Sequence, residues 1–272
     1  MVLRNDFVFV DGEVPYYESR LFKEKGIKHA FFTRIGGVSE GEFGSLNFSV
    51  GNGEIKDSED NVFENHRIAA EVFGLDVTDI CRSVQTHTTV VEVVGNSDRG
   101  RGLTTEKFDR GVDGLVTKEK NLLLSIRVAD CVPVLLCDPD AGICAAVHAG
   151  WRGTVGGITK NTVEKMVSLG AIRENIFAAI GPCIGKECYE VGRELYEEFL
   201  SVSSEYSEFF EPKGEKFMLD LNLANIKILS EAGILPENIS TADLCTKCNE
   251  AHFFSHRRQG AVRGTLSAMI EV

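Results

Sequence analysis

Three residues far apart in the chain have the types needed for chemistry: His87, Cys131 and His148. His87 closes Gln85-Thr86-His87, Cys131 sits in Ala129-Asp130-Cys131-Val132-Pro133, and His148 opens His148-Ala149-Gly150-Trp151-Arg152-Gly153. Imidazole nitrogen and thiolate sulfur both bind zinc, and a catalytic zinc takes three protein ligands and leaves a fourth position for water or substrate. A metal held in this way lowers the pKa of its water from about 15.7 to about 7. Two histidines and a cysteine also suit Cu2+, but a blue-copper site wants a weak axial ligand. The four methionines, Met218 and Met269 among them, show no spacing that supplies one. Cys131 and His148 read equally as a nucleophile and its base, with Asp130 or Gln85 as the orienting group. The three positions are not locally spaced, so spacing leaves both readings open.

Strands must bring Cys131 and His148 together. The stretches Leu122–Val128, Val132–Cys137 and Ile143–Val147 are short, almost continuously apolar and separated by Asp130-Cys131 and by the turn Asp138-Pro139-Asp140. That pattern predicts buried strands in a sheet interior, with the thiol and the imidazole at adjacent strand ends facing one crevice. Further strands are expected at Phe7–Val10, His29–Thr33, Cys81–Gln85, Thr89–Val94, Asp113–Thr117, Ile176–Ile180, Asn238–Leu244 and Leu266–Val272. Helices are expected at Leu21–Gly26, from Ser58 to Gly74, at Ile158–Leu169, near Val191–Leu200 and near Leu221–Ala232, the last capped by Asp220. No repeat or Pro/Ser-rich break divides the chain, so the expectation is a single α/β (α+β) domain over residues 1–272. Asn96–Arg110 is polar and expected to be mobile, and the acidic, Ser-rich Ser201–Lys216 is expected to be an exposed linker.

The chain has 272 residues, 43% of them apolar, and no run near the roughly 18 apolar residues of a membrane helix. Met1–Asp6 lacks the apolar core of a signal peptide. These features predict a cytoplasmic protein with no membrane partner. A net charge of -12 argues against nucleic acid as a partner while permitting a local anion site. Eight cysteines without an export signal read as thiols or ligands rather than disulfides, with Cys81, Cys137 and Cys144 in the core.

Other stretches add weaker signals. Arg34 and Asn47 flank a long glycine-rich loop, anchored by Phe43 and Leu46, and can reach a ligand or serve the loop itself. The glycines around Arg152 precede a helix whose N-terminal amides can hold phosphate. No GxxxxGK[ST] or GxGxxG is present. Cys245-x-x-Cys248-x-x-x-His252-x-x-x-His256 resembles a compact zinc knuckle. Its cysteine–histidine gap is shorter than the usual roughly 12 residues, which favours buried thiols and surface histidines.

Taken together, Phe31-Phe-Thr-Arg-Ile-Gly-Gly-Val-Ser39, Ser45-Leu-Asn47, Gln85-Thr-His87, Ala129-Asp-Cys-Val-Pro133, His148-Ala-Gly-Trp-Arg-Gly153, Gly181-Pro-Cys-Ile-Gly185 and Ser255-His-Arg-Arg258 closely resemble the bacterial laccase-domain family. That family is also called multicopper polyphenol oxidase-like, or peptidoglycan editing factor. The resemblance implies one zinc on His87, Cys131 and His148. It implies phosphorolysis of adenosine, inosine and S-methyl-5′-thioadenosine, together with adenosine deamination. It also implies layered mixed sheets flanked by helices, similar to a Cys–His toxin hydrolase fold. On this reading Arg34 and Arg152 hold phosphate, Asn47 and Gln85 complete the substrate site, and Asp130 or Cys131 shuttles a proton. The rival readings are a Cys131/His148 amidase acting on a peptidoglycan precursor, a copper phenol oxidase, and a non-enzymatic zinc-binding module. Three positions depart from the usual family pattern: Thr88 in place of glycine, His256 in place of an aromatic, and Arg263-Gly264 in place of Gly-Arg. The oligomeric state is not indicated.

Overall fold

Strands covered on both faces read as continuous apolar runs, and strands covered on one face alternate. The central runs of this chain are of the first kind. The computed structural model describes residues 4–51 and 53–272. Met1–Leu3, within the N-terminal stretch read above, and Asn52, in the turn Gly51–Gly53, lie outside the described residues. A seven-stranded mixed sheet runs in the order Arg4–Asn5, Ile239–Thr241, Phe177–Ile180, Val132–Asp138, Ile143–Ala149, Gly114–Thr117, Val91–Val93. A six-stranded sheet runs Phe7–Val10, Tyr16–Ser19, Lys28–Phe32, Leu266–Glu271, Leu123–Val128, Ile80–Arg82. A small sheet of three strands joins Glu190–Val191, Lys216–Leu219 and Phe210–Lys213.

Side chains alternate across each strand, so one strand feeds two cores. Val132, Val134 and Leu136 pack with Ile158, Val163 and Met166 of the helix Ile158–Ser168, and with Ala224, Ile228 and Leu229 of the helix Leu221–Glu231. Leu135 and Cys137 on the same strand face the other way, onto Leu124, Ile126 and Ala268 of the six-stranded sheet. The outer face of that sheet places Ala30, Phe32, Leu123 and Met269 against Ala69, Ala70 and Phe73 at the helix Glu59–Val72. The layers are therefore helix, sheet, sheet, helix. Helix starts follow the sequence: Ser58 Oγ accepts from Asn61 N at 3.2 Å, and Asp220 Oδ1 accepts from Leu223 N at 2.8 Å.

The crossing between the sheets sets up the site. The chain leaves the six-stranded sheet at Val128, turns at Asp130 with φ 91°, and enters the seven-stranded sheet at Val132. There it runs antiparallel to Ile143–Ala149, with His148 opposite Pro133 and Ala149 opposite Val132. The residue just before Val132 and the residues at the end of the partner strand are consequently neighbours.

Two expectations about loops fail. Asn96–Arg110 is anchored by its own arginines rather than free. Arg99 donates to Asp79 at 2.7 Å and to the carbonyls of Lys120 and Asn121 at 2.9 and 2.6 Å, and Arg101 donates to Asp98 at 2.7 Å and lies over Phe108. Ser201–Lys216 is not an exposed linker. It contains the 3-10 turn Ser204–Phe209 and then Phe210–Lys213, which turns back at Gly214 (φ 61°) into Lys216–Leu219. Tyr206, Phe209 and Phe210 are buried against Phe199 of the preceding helix. The serines and glutamates between them cover the outside, so composition hid the aromatic anchors. Phe209→Ala should destabilise the fold by about 3–5 kcal/mol, the usual cost of emptying a buried phenylalanine site. A melting curve unchanged from that of the native chain would restore the linker reading.

Candidate metal centre and its cavity

The strand pairing delivers the thiol and one imidazole to the same corner, and a loop brings the second imidazole over them. His87, Cys131 and His148 place one ligand atom each so that all three lie within 4.8 Å of one another. Cys131 Sγ is 3.8 Å from His87 Nε2, and the two imidazole rings stand 4.9 Å apart at 77°. Around a tetrahedral zinc, nitrogen and sulfur ligands stand roughly 3.3–3.6 Å from one another, so a small contraction seats an ion.

A buried carboxylate arranges this cluster. Asp113 Oδ1 accepts from His148 Nδ1 at 2.7 Å and from His87 N at 3.1 Å. Its Oδ2 accepts from Thr86 N, Thr88 N and Thr88 Oγ1 at 3.1, 2.9 and 2.9 Å. The bond to His148 fixes the tautomer and leaves Nε2 for a metal. The other bonds wrap residues 86–88 around the carboxylate. Their N–H groups point at Asp113 instead of a neighbouring strand, so the strands expected at Cys81–Gln85 and Thr89–Val94 shrink to Ile80–Arg82 and Val91–Val93. The wrap also holds His87 in the left-handed region, at φ 62°. Thr88, where the family pattern has glycine, uses its hydroxyl in this network.

Gly150 explains part of the His-Ala-Gly-Trp-Arg-Gly block. A Cβ there would stand 2.6 Å from His87 Cδ2 and 3.2 Å from Cys131 Sγ, so only glycine lets the three residues meet. Neither Gly150 nor Arg152 lines the cavity, and Arg152 is exposed with its guanidinium over the Trp151 ring at 4.2 Å.

Burial pushes the Cys131 thiol up, but His148 and His87 outweigh burial and bring it down to about 6. Burial pushes His148 down, but Cys131 and Asp113 outweigh it and bring the imidazole up to about 9. Burial likewise opposes ionisation of Asp113, yet donation from His148 and Thr88 holds it at about 2. The directions of these three shifts favour charge separation along Cys131, His148 and Asp113.

The cluster opens onto a cavity of about 540 Å³. Gln85 and the three cluster residues line it, together with Arg82, Lys107, Arg127, Arg263 and His256. No aspartate or glutamate is among the described lining residues. Nε of Arg127 and Nε of Arg263 are buried without hydrogen-bond partners. Burial and the adjacent Arg82 lower the Arg127 guanidinium to about 9, which still leaves it charged at neutral pH.

Several sequence candidates stand elsewhere. Arg34 donates through Nε and Nη2 to the Gly44 carbonyl at 2.9 and 2.7 Å and lies over Phe254, so it braces the glycine-rich loop. Asn47 is buried, donating to Ser49 O and Asp57 Oδ2 and accepting from Ser49 N and Thr265 N. Asp130 accepts from Thr246 Oγ1 and from Arg257 N, both at 2.6 Å, which engages both oxygens away from the cavity. Gln85 is on the wall, but its amide is locked onto the Arg127 backbone. Sequence reasoning missed Asp113, Arg82, Lys107, Arg127 and Arg263. For Arg127 a signal existed, the one charge inside the mostly apolar strand Leu123–Val128.

The sequence pattern of the family described as "Multi-copper polyphenol oxidoreductase laccase" matches residues 28–272. The chain belongs to this family. A purine nucleoside phosphorylase of Deinococcus radiodurans is 39% identical over 244 residues, covering 90% of this chain and 88% of the relative. A protein of an unknown prokaryotic organism named adenosine deaminase RL5 is 39% identical over 196 residues, covering 70% and 74%. The crystal structure of the Bacillus licheniformis hypothetical protein YfiH superposes with a TM-score of 0.90 at 31% identity, over 98% of each chain. The family resemblance read from the motifs is therefore borne out, and so are the layered mixed sheets. In this laccase-like member, His87, Cys131 and His148 stand close enough together to hold one metal ion.

Asp113→Asn should weaken metal binding by about 10–100-fold, the usual effect of losing a carboxylate that orients a ligand histidine. Competition against a chromogenic chelator measures this. Unchanged affinity in a folded variant would remove Asp113 from the role given to it.

Proposed function

We propose that this chain is a zinc-dependent, cytoplasmic purine nucleoside enzyme. It carries out phosphorolysis of adenosine, inosine and S-methyl-5′-thioadenosine to base plus ribose 1-phosphate or its methylthio counterpart, and it deaminates adenosine. The observation that carries this reading is the cavity: a three-ligand metal group opens onto a wall bearing Arg82, Lys107, Arg127 and Arg263. An arginine-rich, partly desolvated wall is suited to a phosphate dianion. The names of the family relatives, purine nucleoside phosphorylase and adenosine deaminase, support it. The eight free cysteines support a reducing compartment.

His87, Cys131 and His148 would hold zinc, whose open position supplies a Lewis acid toward substrate. Zinc fits better than copper here, because Met166, Met218 and Met269 are all buried in the cores and offer no axial thioether. In phosphorolysis a phosphate oxygen bonds to C1′ as the C1′–N9 bond breaks and its electron pair leaves with the purine. Arg127 and Arg263 on the cavity wall would hold the phosphate, and Arg82 adds charge to the same wall. Gln85, clamped to the Arg127 backbone, keeps that strand in register with residues 83–85. In deamination, water adds at C6 and ammonia leaves, which requires a proton carrier. With Asp130 engaged elsewhere, His256 takes this role. Its Nδ1 donates to Gly260 O at 3.1 Å, which leaves Nε2 as the proton-accepting nitrogen.

One observation favours a second reading, a Cys131 amidase acting on peptidoglycan precursors. Cys131, His148 and Asp113 line up as thiolate, imidazole and carboxylate. Alkylation of metal-stripped protein separates the two, since the zinc enzyme is already inactive at that stage and the amidase is not.

Product chromatography on zinc-loaded protein with adenosine should yield adenine and ribose 1-phosphate only when phosphate is added. Arg263→Met should raise the KM for phosphate about 10–100-fold, consistent with a lost charged hydrogen bond of about 1.5–3 kcal/mol. His256→Phe should slow inosine formation by roughly 100-fold or more while sparing phosphorolysis. Adenosine left intact under all conditions, or activity retained by a metal-free Cys131→Ala chain, would sink the proposal.

A further inference from the structure

A second cluster of thiols lies on the far side of the Asp130 corner. The sequence grouped Cys245 and Cys248 with His252 and His256, but the structure separates them. His252 Nδ1 is 2.7 Å from Tyr17 Oη and its ring stacks on Phe9, and His256 lines the cavity described above. Cys188, remote in sequence, takes their place. Its Sγ is 3.3 Å from Cys248 Sγ, and the three sulfurs of Cys188, Cys245 and Cys248 all lie within 4.8 Å of one another.

We infer that Cys188, Cys245 and Cys248 hold a second, structural divalent cation of the thiophilic class, with zinc as the natural occupant. Three features carry this. The cluster is not core packing: Cys81, Cys137 and Cys144 are buried, whereas Cys188 and Cys245 are only half-buried and Cys248 is exposed. The Cys245 sulfur is already placed as an acceptor, because it takes a backbone hydrogen bond from Gly185 N at 3.3 Å. A backbone N–H donated to sulfur stabilises a thiolate, the ligand form. Finally, the thiols border a cleft of about 330 Å³ that Asp220 and Asp243 also line, which leaves room for a carboxylate or water as fourth ligand. A disulfide accounts for the arrangement less well, since it would pair two sulfurs and strand the third.

Binding involves no electron transfer. Each thiol gives its proton to solvent as the ion arrives. The ion would join two turns that both hold Asp130: Ile184 N donates to Asp130 O at 2.9 Å, and Thr246 Oγ1 donates to Asp130 Oδ1. A staple there stiffens the corner that presents Cys131. This inference does not depend on the reaction assigned to the first site.

Metal analysis of the full-length chain, loaded with zinc alone and then desalted, should give two equivalents. Cys248→Ala, at an exposed position, should keep its fold and lose one equivalent, and Cys131→Ala should lose the other. With cobalt in the Cys131→Ala chain, thiolate-to-metal charge-transfer bands should appear in the near ultraviolet and vanish when Cys248→Ala is added. One equivalent in the native chain, two equivalents retained by Cys248→Ala, or a Cys188–Cys248 disulfide in peptides of freshly purified protein would each overturn the proposal.

Discussion

The buried carboxylate of Asp113 is the constraint on which the centre of this molecule depends. It receives three consecutive backbone N–H groups, a hydroxyl and an imidazole. A charge buried without partners would be costly, and five donors make it tolerable. The same bonds bend the chain around His87, hold that residue at a positive φ and select the tautomer of His148. One residue thereby places two of the three cluster members. The third, Cys131, is placed by the crossover between sheets, where Asp130 also adopts a positive φ and is tied down by Thr246 and Arg257.

Close approach is the second requirement. The His87 loop, the Cys131 corner and the end of the His148 strand come together at Gly150, where a methyl group would collide with the His87 ring. Gly156 has the same function six residues further on, since a Cβ there would stand 2.5 Å from Thr89 Cγ2. Glycines that resemble an anion-binding turn are, in this fold, the positions that let a helix lie against the metal-binding loop.

Electrostatics separate the cavity from the rest of the surface. The chain carries a net charge of -12, yet the cavity wall presents Arg82, Lys107, Arg127 and Arg263 with no described carboxylate among the lining residues. A local cationic pocket in an acidic protein attracts a small anion while the surrounding surface disfavours polyanions such as nucleic acid. Of the arginines outside this wall, Arg34 braces a loop and Arg152 lies over a tryptophan.

Sequence alone determined the elements and the cluster. The apolar runs around Ala129-Asp130-Cys131 read as buried strands from their short length and flanking turns, and Val132–Asp138 and Ile143–Ala149 are buried throughout. The family motifs named His87, Cys131 and His148. What only the tertiary structure decided was which polar residues stand behind and around them. Asp113 reads as the start of a strand until its donors are seen. Arg127 from mid-chain and Arg263 from near the C-terminus line one cavity, and Cys188 meets Cys248 across 60 positions. Periodicity reports which face of an element is buried, but it carries no record of which elements become neighbours. Side chains that act through non-local contacts are therefore visible only once the sheets are stacked.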